Sequence, residues 1–481
     1  MKTPLSNAVS NDAASRLGTE SVGKLLFKFS LPAVTGMLAN ALYNIVDRIF
    51  VGQEVNHDAL AGLTLVMPLM TVVLAFAMLF GIGTANLISI RMGEGRRQDA
   101  ENALNHCFFL LLGVGLLMTA IGLWQMDAIM SLLGAQENSN VLGYAQSYFQ
   151  IILYGTVFSL LGFGFSHCTR AQGFPAMTMI TMLIGAGLNI ILDYFFIIIF
   201  KWEVEGAAYA TIISQAAAAI WILRFSMGKK AIIKLRFKSF KLSSSVIKYI
   251  MAFGSAQFIL QMMMSGIQLL YNYSMGIYGP EALQIENGGD IALGGMSIVV
   301  SISMLIYMTI FGINQGAQPI LGYNYGARLY DRVIKTYIRA VAAGTVICVA
   351  GFIAVQLFPG YLVRLFASES NLSVSGESFN KLMDFSVKAL RIMLLLLPAA
   401  AFQIISTNFF VVTGRPKTSI FLSLLRQCLL LIPCILIFGN IWGLWGVVAA
   451  APVTDTLALL ITLVMVFFEL KKLKKSSNVL T

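Results

Sequence analysis

The chain has 481 residues, of which 58% are hydrophobic and only 11% are charged, and its mean hydropathy is +0.79. Soluble domains carry about 25% charged residues, so this composition excludes an ordinary soluble protein and predicts an integral membrane protein. The apolar runs are too long for the alternating strands of a membrane β-barrel. The net charge of +11 would suit a nucleic-acid binder, but the placement of the basic residues gives it another explanation.

Residues 1–24 are polar and lack the basic-then-apolar layout of a cleaved signal peptide, so we expect a cytoplasmic tail. Twelve apolar segments follow, each long enough to cross a bilayer as a helix at ~1.5 Å per residue. The predicted spans are 25–51, 59–82, 104–126, 144–168, 175–200, 206–227, 246–276, 291–316, 336–358, 386–412, 418–440 and 444–468. The predicted fold class is therefore an all-α integral membrane protein with twelve transmembrane helices.

The Lys and Arg residues are distributed unevenly between the two sides of the predicted spans. If the N-terminus is cytoplasmic, most of the 33 fall in cytoplasmic segments, as the positive-inside rule requires. We therefore expect a multi-pass protein of the cell (inner) membrane with both termini in the cytoplasm. Topology then accounts for the positive charge, and we expect no nucleic-acid partner.

A basic, polar stretch in the middle of the chain separates two similar halves. A shift of 232 residues places Gly62 on Gly294 and Arg96 on Arg328, and a shift of 241 places the Gly-Phe-Pro at 173–175 on the Gly-Arg-Pro at 414–416. Six helices per half make parallel repeats about an axis along the membrane normal, with a central cavity between two pseudo-symmetric lobes. The predicted divisions are an N-lobe over 25–227, a cytoplasmic linker over 228–245, a C-lobe over 246–468 and a cytoplasmic tail over 469–481.

Span five carries two polar residues in an otherwise apolar run. Asn189 and Asp193 are four residues apart, so they lie on the same face of a helix, one turn from each other. A carboxylate within a span costs roughly 2.5–3.5 kcal/mol on insertion scales. Asp193 must therefore meet a partner, a cation or a proton.

Span one carries a polar stripe formed by Asn40, Asn44 and Asp47, with Pro32 on about the same line, where it can kink the helix. Thr211 lies near the start of span six. Counted along their helices, Asp47, Asp193 and Thr211 lie within ~5 Å of one another in depth.

These oxygen groups would suit Na⁺ or a shared proton. Two other interpretations stay open: Asp47 is interfacial and pairs with Arg48, and Thr211 bonds to its own helix.

Further polar residues lie inside other spans. Arg426 and Asp455 are predicted to form a buried ion pair, although their depths differ by ~8 Å, and a gating or substrate role is the alternative. Gln257 and Gln261 are one turn apart in span seven and are candidates for lining the cavity, as are Asn40 and Asn44. His167 and Arg170 end span four, where we expect packing at its cytoplasmic end. These positions are candidates beside the main site.

The order and spacing of several motifs resemble one known family. Asp47 follows Pro32 by fifteen residues, Asn189-x-x-x-Asp193 lies in span five, and Thr211 follows in span six. The stretch GINQGAQPILGYNYGA at 312–327 is also similar to a family signature. On these features the chain is identified as resembling bacterial members of the multidrug and toxic compound extrusion (MATE) family of the MOP flippase superfamily. The resemblance covers nearly the whole chain beyond the N-terminal tail.

The resemblance implies a site and a mechanism. Asp47, Asn189, Asp193 and Thr211 would form a cation- or proton-coupling site in the N-lobe, and Pro32 would be where the first helix bends. Some relatives also carry an acid in helix seven or eight, which this chain lacks in the span cores. We therefore expect no C-lobe cation site of that type.

The implied function is multidrug efflux, in which amphipathic organic cations such as antibiotics leave the cell in exchange for H⁺ or Na⁺. We expect a monomeric transporter rather than an enzyme, without a tightly bound cofactor. The alternative is a flippase of the same superfamily that moves lipid-linked precursors or polysaccharides. Such a protein should line its cavity with several Arg or Lys to hold phosphates, whereas most basic residues here lie at the cytoplasmic edge.

Overall fold

The structure is a computed structural model that describes residues 15–54, 57–133, 140–237, 240–285, 287–366 and 376–480. Within these ranges only the backbone is described at 43–54, 57–61, 132, 140 and 479–480. The regular secondary structure of the described ranges is helical throughout, which confirms the all-α class.

The first six spanning helices occupy the N-terminal half of the chain. They are α1 (Val22–Glu54), α2 (His57–Gly93), α3 (Arg97–Trp124), α4 (Asn140–Ala171), α5 (Pro175–Asp193) and α6 (Glu203–Met227). A π-helical segment, Tyr194–Ile199, continues α5 directly, and a short helix, Met126–Leu132, follows α3. The boundaries of these helices lie within a few residues of most of the predicted spans and further out for α2 and α3.

The C-terminal half contains six more spans. They are α7 (Ser244–Leu283), α8 (Gly288–Gly326), α9 (Tyr330–Leu357), the two segments of α10 (Glu377–Met393 and Leu397–Val412), and α11 and α12, which share the stretch that begins at Pro416. The α10 segments are bent by 53°. Helix α11 starts as Pro416–Leu424, passes through the π-helical segment Leu425–Leu431 and ends at Gly443, whose backbone (φ 59°, ψ −140°) is not helical. Residues 444–480 form α12. A short helix, Pro359–Arg364, follows α9.

The number of spans follows from these bounds. Ten described helices are individually long and apolar enough to cross a membrane, and the two segments of α10 together make an eleventh. The break at Gly443 divides the last of the ten into two. Twelve spans result, which confirms the prediction.

The repeated Gly-x-Pro motif forms the same turn in both halves. Gly173 and Gly414 have φ of 99° and 77°, a left-handed conformation that glycine adopts without steric cost after a helix. Pro175 and Pro416 then occupy the first positions of α5 and α11, where the missing N–H of proline costs no hydrogen bond. The sequence repeat is therefore also a structural repeat.

The two halves meet through their first two helices. Helix α2 packs along α7, and α1 packs along α8. The start of α1 contributes Leu25 and Phe29 to a core formed mainly by residues of the C-terminal half. The start of α7 contributes Ile250 and Phe253 to a core of the N-terminal half. Since α7 and α8 are the C-terminal counterparts of α1 and α2, these contacts are reciprocal.

The stretch between α6 and α7 is held against the N-terminal half. Ile232, Ile233 and Leu235 are buried in its core. The Asn105 side chain, on α3, donates to the Arg236 carbonyl and accepts from the Arg236 N–H at 3.0 and 3.1 Å. The predicted linker is thus a packed strap over the basic end of α3.

Candidate functional site

Helix α5 buries the polar pair that the sequence singled out. Asn189 is 1% exposed and Asp193 is fully buried. Asp193 is the last α-helical residue before the π-helical segment, a local widening of the helix that recurs at functional sites. The pair therefore lies inside the helix bundle, where the widened turn begins.

The amide of Asn189 has neither a donor nor an acceptor partner among the described side chains and backbone. A buried polar group left in this state costs about 1–3 kcal/mol. A cation or a polar ligand bound to the amide oxygen would remove that cost. The side chain thus has the property expected of a ligand-binding group.

The helices that carry the four predicted site residues are mutual neighbours. Helix α5 packs against α1 and α6, and α1 also contacts α6. Thr211, on α6, is buried, with 7% of its surface exposed. Asp47 lies on the backbone of α1, but its side chain is outside the described part of the structure, as is that of Asn44. The described side chains contain no cluster of three or more His, Cys, Asp or Glu.

Helix α1 links this region to the other half. Pro32 lies inside α1, and its neighbours Ser30 and Val34 touch α8 so closely that a Cβ on Gly312 or Gly316 would come within 2.5 Å of them. One turn further along α1, the Met37 sulfur accepts a long hydrogen bond of 3.9 Å from the Gln315 amide. The predicted bend of α1 therefore lies directly against α8. Asn40, further along, is half-buried.

The end of α4 is buried more deeply than expected. Arg170 and His167 are each 2% exposed, whereas the sequence suggested packing at the end of a span. Nη1 of Arg170 donates to the Gln315 side chain on α8. The Gln315 side chain therefore contacts both α1 and α4.

A second hydrogen bond joins the halves between equivalent positions. The Gln318 amide donates to Oδ1 of Asn86 at 2.7 Å, and both residues are buried. These residues are 232 apart, the same shift that superimposes the two halves in sequence. Two equivalent residues touch each other only where they lie next to the two-fold axis. The repeat shift thus contained the signal for this contact, which sequence reasoning missed.

The C-terminal half contains a charged pair. Nε of Arg426, on α11, lies 2.6 Å from Oδ1 of Asp455, on α12. The estimated depth difference of ~8 Å is bridged because the arginine side chain is long and because Arg426 lies in the π-helical segment, where residues are displaced from α-helical register. The side chains are 28% and 10% exposed.

Two tyrosines and a glutamine surround this pair. The Tyr307 hydroxyl, on α8, lies close enough to Arg426 to interact with the guanidinium. The Tyr271 hydroxyl, on α7, is near both charges and has no hydrogen-bond partner within the described ranges. The Gln403 amide donates to the Asp455 backbone carbonyl at 2.9 Å. Gln257 and Gln261, on α7, are half-buried.

Comparisons with known proteins agree with this architecture. The sequence profile of the MatE family matches residues 32–195 and 258–437. The multidrug export protein MepA of Staphylococcus aureus (strain MSSA476) is 25% identical over 449 residues, which cover 93% of this chain and 94% of that protein. MepA of Staphylococcus haemolyticus (strain JCSC1435) is 26% identical over 451 residues, with the same coverage of both chains.

Solved structures show the same fold. A crystal structure of MATE in complex with MaL6 is 25% identical and superimposes with a TM-score of 0.87 over 96% of this chain and 99% of that chain. An outward-facing multidrug resistance MATE transporter of the MOP superfamily is 24% identical and gives a TM-score of 0.86 over 99% of this chain and all of that one.

Proposed function

Because the chain belongs to the MATE family, we propose that it is a secondary active multidrug antiporter that exports amphipathic organic cations in exchange for H⁺ or Na⁺. The observation that carries this proposal is the buried Asn189 and Asp193 pair on α5, at the contact with α1 and α6. A carboxylate held inside a membrane span is a group whose charge must be balanced there. A coupling ion or a cationic drug would contribute to that balance.

Exchange requires that the ion and the drug favour opposite conformations. A differential affinity of a few kcal/mol between the two states is sufficient for coupling. Asp47 and Asp193 would bind the ion with the oxygens of Asn189 and Thr211, and either carboxylate would also attract a cationic drug. Competition at one site would then ensure that drug leaves as the ion enters.

Closure at one end supports an alternating mechanism. The close approaches that described glycines make between the halves lie towards the end that bears Arg91, Arg96 and Arg328. Near that end, a Cβ on Gly326 would lie 2.1 Å from the Ile90 carbonyl oxygen, and a Cβ on Gly93 would lie 2.0 Å from that of Tyr323. By the positive-inside rule this end is cytoplasmic. We therefore assign the structure to a state closed towards the cytoplasm.

The contact between α1 and α8 connects the proposed cation site to the closed end of the molecule. Loading of the carboxylates would change the charge beside α1, and α1 lacks one backbone hydrogen bond at Pro32. A bend there would displace Ser30 and Val34 from α8, the helix that carries Gln315 and Gln318. The three hydrogen bonds that Gln315 and Gln318 make with the N-terminal half would then be affected.

The flippase alternative is less well supported. Arg426, well inside the described spans, is paired with Asp455. Arg170, at the end of α4, donates through Nη1 to Gln315, and its Nε and Nη2 have no partner in the described part of the chain. A phosphate-binding cavity needs cations that are free to meet the phosphate. Labelled lipid precursors are the substrates that would test this alternative.

The first test is ethidium efflux from energised cells that lack their own pumps. Asp193→Asn keeps the shape of the side chain and removes its charge, so we expect efflux to fall at least tenfold at matched expression. The matched control is Asp99→Asn, because Asp99 is half-exposed and pairs with Arg96 at the surface. Normal efflux by Asp193→Asn would refute the site, and no efflux by the wild type across several cationic dyes would refute drug export.

The coupling ion is identified in vesicles that contain the purified protein. An imposed Na⁺ gradient and an imposed pH gradient are compared at equal membrane potential. The gradient that drives ethidium transport identifies the ion, and transport that responds to neither contradicts secondary coupling.

A further inference from the structure

The C-terminal half holds a buried acid that is paired with a fixed cation. Asp455 lies 2.6 Å from the Arg426 guanidinium, which is protonated at every physiological pH. This cation is attached to α11 and cannot leave. The negative charge of Asp455 is therefore balanced by the protein itself.

This pair lies on the counterparts of the helices that form the N-terminal site. Helices α7, α11 and α12 repeat α1, α5 and α6, six spans later. Tyr271, Arg426 and Asp455 belong to α7, α11 and α12, as Asp47, Asp193 and Thr211 belong to α1, α5 and α6. The two clusters thus lie on corresponding helices of the two halves. The shift of 241 that aligns the Gly-x-Pro turns places Arg426 on Gly185, eight residues before Asp193.

Two tyrosine hydroxyls, those of Tyr307 and Tyr271, lie near the C-terminal pair. The Tyr271 residue is 6% exposed, and its hydroxyl has no hydrogen-bond partner in the described part of the chain. Together with the Asp455 carboxylate, these are the hard oxygen ligands that Na⁺ and protons use.

We propose that the Arg426 guanidinium is a tethered cation that permanently neutralises the buried acid carried by the C-terminal counterparts of the exchange-site helices. Arg426 thereby confines cation exchange to the N-terminal half and sets the number of ions moved per drug. The argument rests on the proposed exchange function of the N-terminal site. It predicts that removal of the guanidinium exposes Asp455 as a second site for H⁺ or Na⁺.

The variants that test this are Arg426→Gln, Arg426→Lys and the double variant Arg426→Gln/Asp455→Asn, each purified at full length. Ethidium binding is measured against Na⁺ concentration, with N-methylglucamine as the replacement cation, and against pH. Each cation that competes with the drug adds about one to the slope of log Kd against log cation concentration.

We expect the slope for Arg426→Gln to exceed that of the wild type by about one for H⁺ or Na⁺, an additional tenfold in Kd per tenfold in that cation. Arg426→Lys and the double variant should keep the wild-type slope. A purely structural ion pair would lower stability without changing the slope. An unchanged slope in Arg426→Gln, or an increase that persists in the double variant, would overturn the proposal.

The cation titration of thermal unfolding decides the matter even if the wild type does not bind ethidium. Arg426→Gln should gain a stabilisation by H⁺ or Na⁺ that is absent from the double variant, and absence of that gain overturns the proposal. If Arg426→Gln does not fold, Arg426→His replaces it, because imidazole is charged at about pH 5 and largely neutral at about pH 8. The gain should then occur at the higher pH only, and a gain at neither pH contradicts the tethered cation.

Discussion

The two halves of the molecule carry buried acids on corresponding sets of helices, but the groups around these acids differ. In the N-terminal half, Asp193 lies one turn from an amide that has no described partner. In the C-terminal half, Asp455 is bound to Arg426 at 2.6 Å. In our proposal, one half of this repeated architecture keeps an exchangeable site while the other fixes its charge. The comparison shows that similar backbones do not imply similar chemistry.

The largest expected effect comes from removal of one partner of the C-terminal pair. Asp455→Asn leaves a guanidinium that is mostly buried without its counter-charge, and such a change costs about 3–5 kcal/mol in other proteins. Because Arg426 is 28% exposed, we expect the lower end of this range. Unfolding in detergent measures it.

The matching change in the other half should behave differently. Asp193→Asn keeps the shape of the side chain and removes a charge whose burial is itself costly, so we expect less than about 1 kcal/mol of destabilisation. The double variant Arg426→Gln/Asp455→Asn should recover most of the stability lost in Asp455→Asn. Equal destabilisation by the two single aspartate variants would remove the distinction between the halves.

Two glycine contacts between α2 and α7, which we call the seam, allow the two halves to be compared directly. A Cβ on Gly254 would lie 1.8 Å from the Leu79 carbonyl oxygen, and one on Gly83 would lie 2.1 Å from that of Ile250. Gly254→Ala and Gly83→Ala should each destabilise the closed state by about 1–3 kcal/mol, as overpacking does.

Destabilisation of the closed state is measured by the reactivity of cysteines introduced at positions that the contact between the halves buries. The control is Gly266→Ala, also on α7, where nothing lies within 4 Å of the added carbon. That variant should be neutral or slightly stabilised. A large effect of only one of the two seam glycines would show that the reciprocal contacts are not equivalent.

The two unpartnered polar groups provide a subtler contrast. Asn189→Leu and Tyr271→Phe each remove a buried group without a described partner, so each should stabilise the fold by about 1 kcal/mol. We expect Asn189→Leu to lower ethidium efflux at least tenfold, because the proposed exchange site includes this amide. Tyr271→Phe should keep efflux within twofold of the wild type. Efflux assays at matched expression would contradict the assignment if the tyrosine variant lost the activity.

The smallest expected effect concerns the hydrogen bond between Asn86 and Gln318. A double-mutant cycle with Asn86→Leu and Gln318→Leu should give a coupling of about 1 kcal/mol. Each single variant should be less stable than the double variant, because a single change leaves one buried amide unsatisfied. Unfolding midpoints in detergent supply the four values. Additive effects would mean that this contact does not join the halves energetically.

Some of the molecule could be predicted because single helices determine it. Apolar length gave the twelve spans, and the end of span eleven at 440 falls close to the break at Gly443. The spacing of Asn189 and Asp193 placed both on one face, and both are buried. These are properties of one helix in a bilayer, so no knowledge of its neighbours is needed.

Other features depended on how the helices pack. His167 and Arg170 looked like the end of a span, but the approach of α8 buries both and supplies Gln315 as a partner for the arginine. The linker sequence is basic and polar, yet Ile232 and Ile233 insert into the core of the N-terminal half. Burial at a helix end depends on the neighbouring helices, and the hydropathy of one segment does not reveal which helices pack against it.

The sequence by itself determined the fold class, the twelve spans, the repeat and the family, because bilayer thickness and the cost of buried charge act on each segment separately. Only the tertiary structure decided that Arg426 meets Asp455, that Asn86 meets Gln318, and that the basic end is closed. Those contacts join residues far apart in the chain. They depend on helix register and on how the helices cross. A π-helical turn changes the register, and small glycines let two helices approach closely.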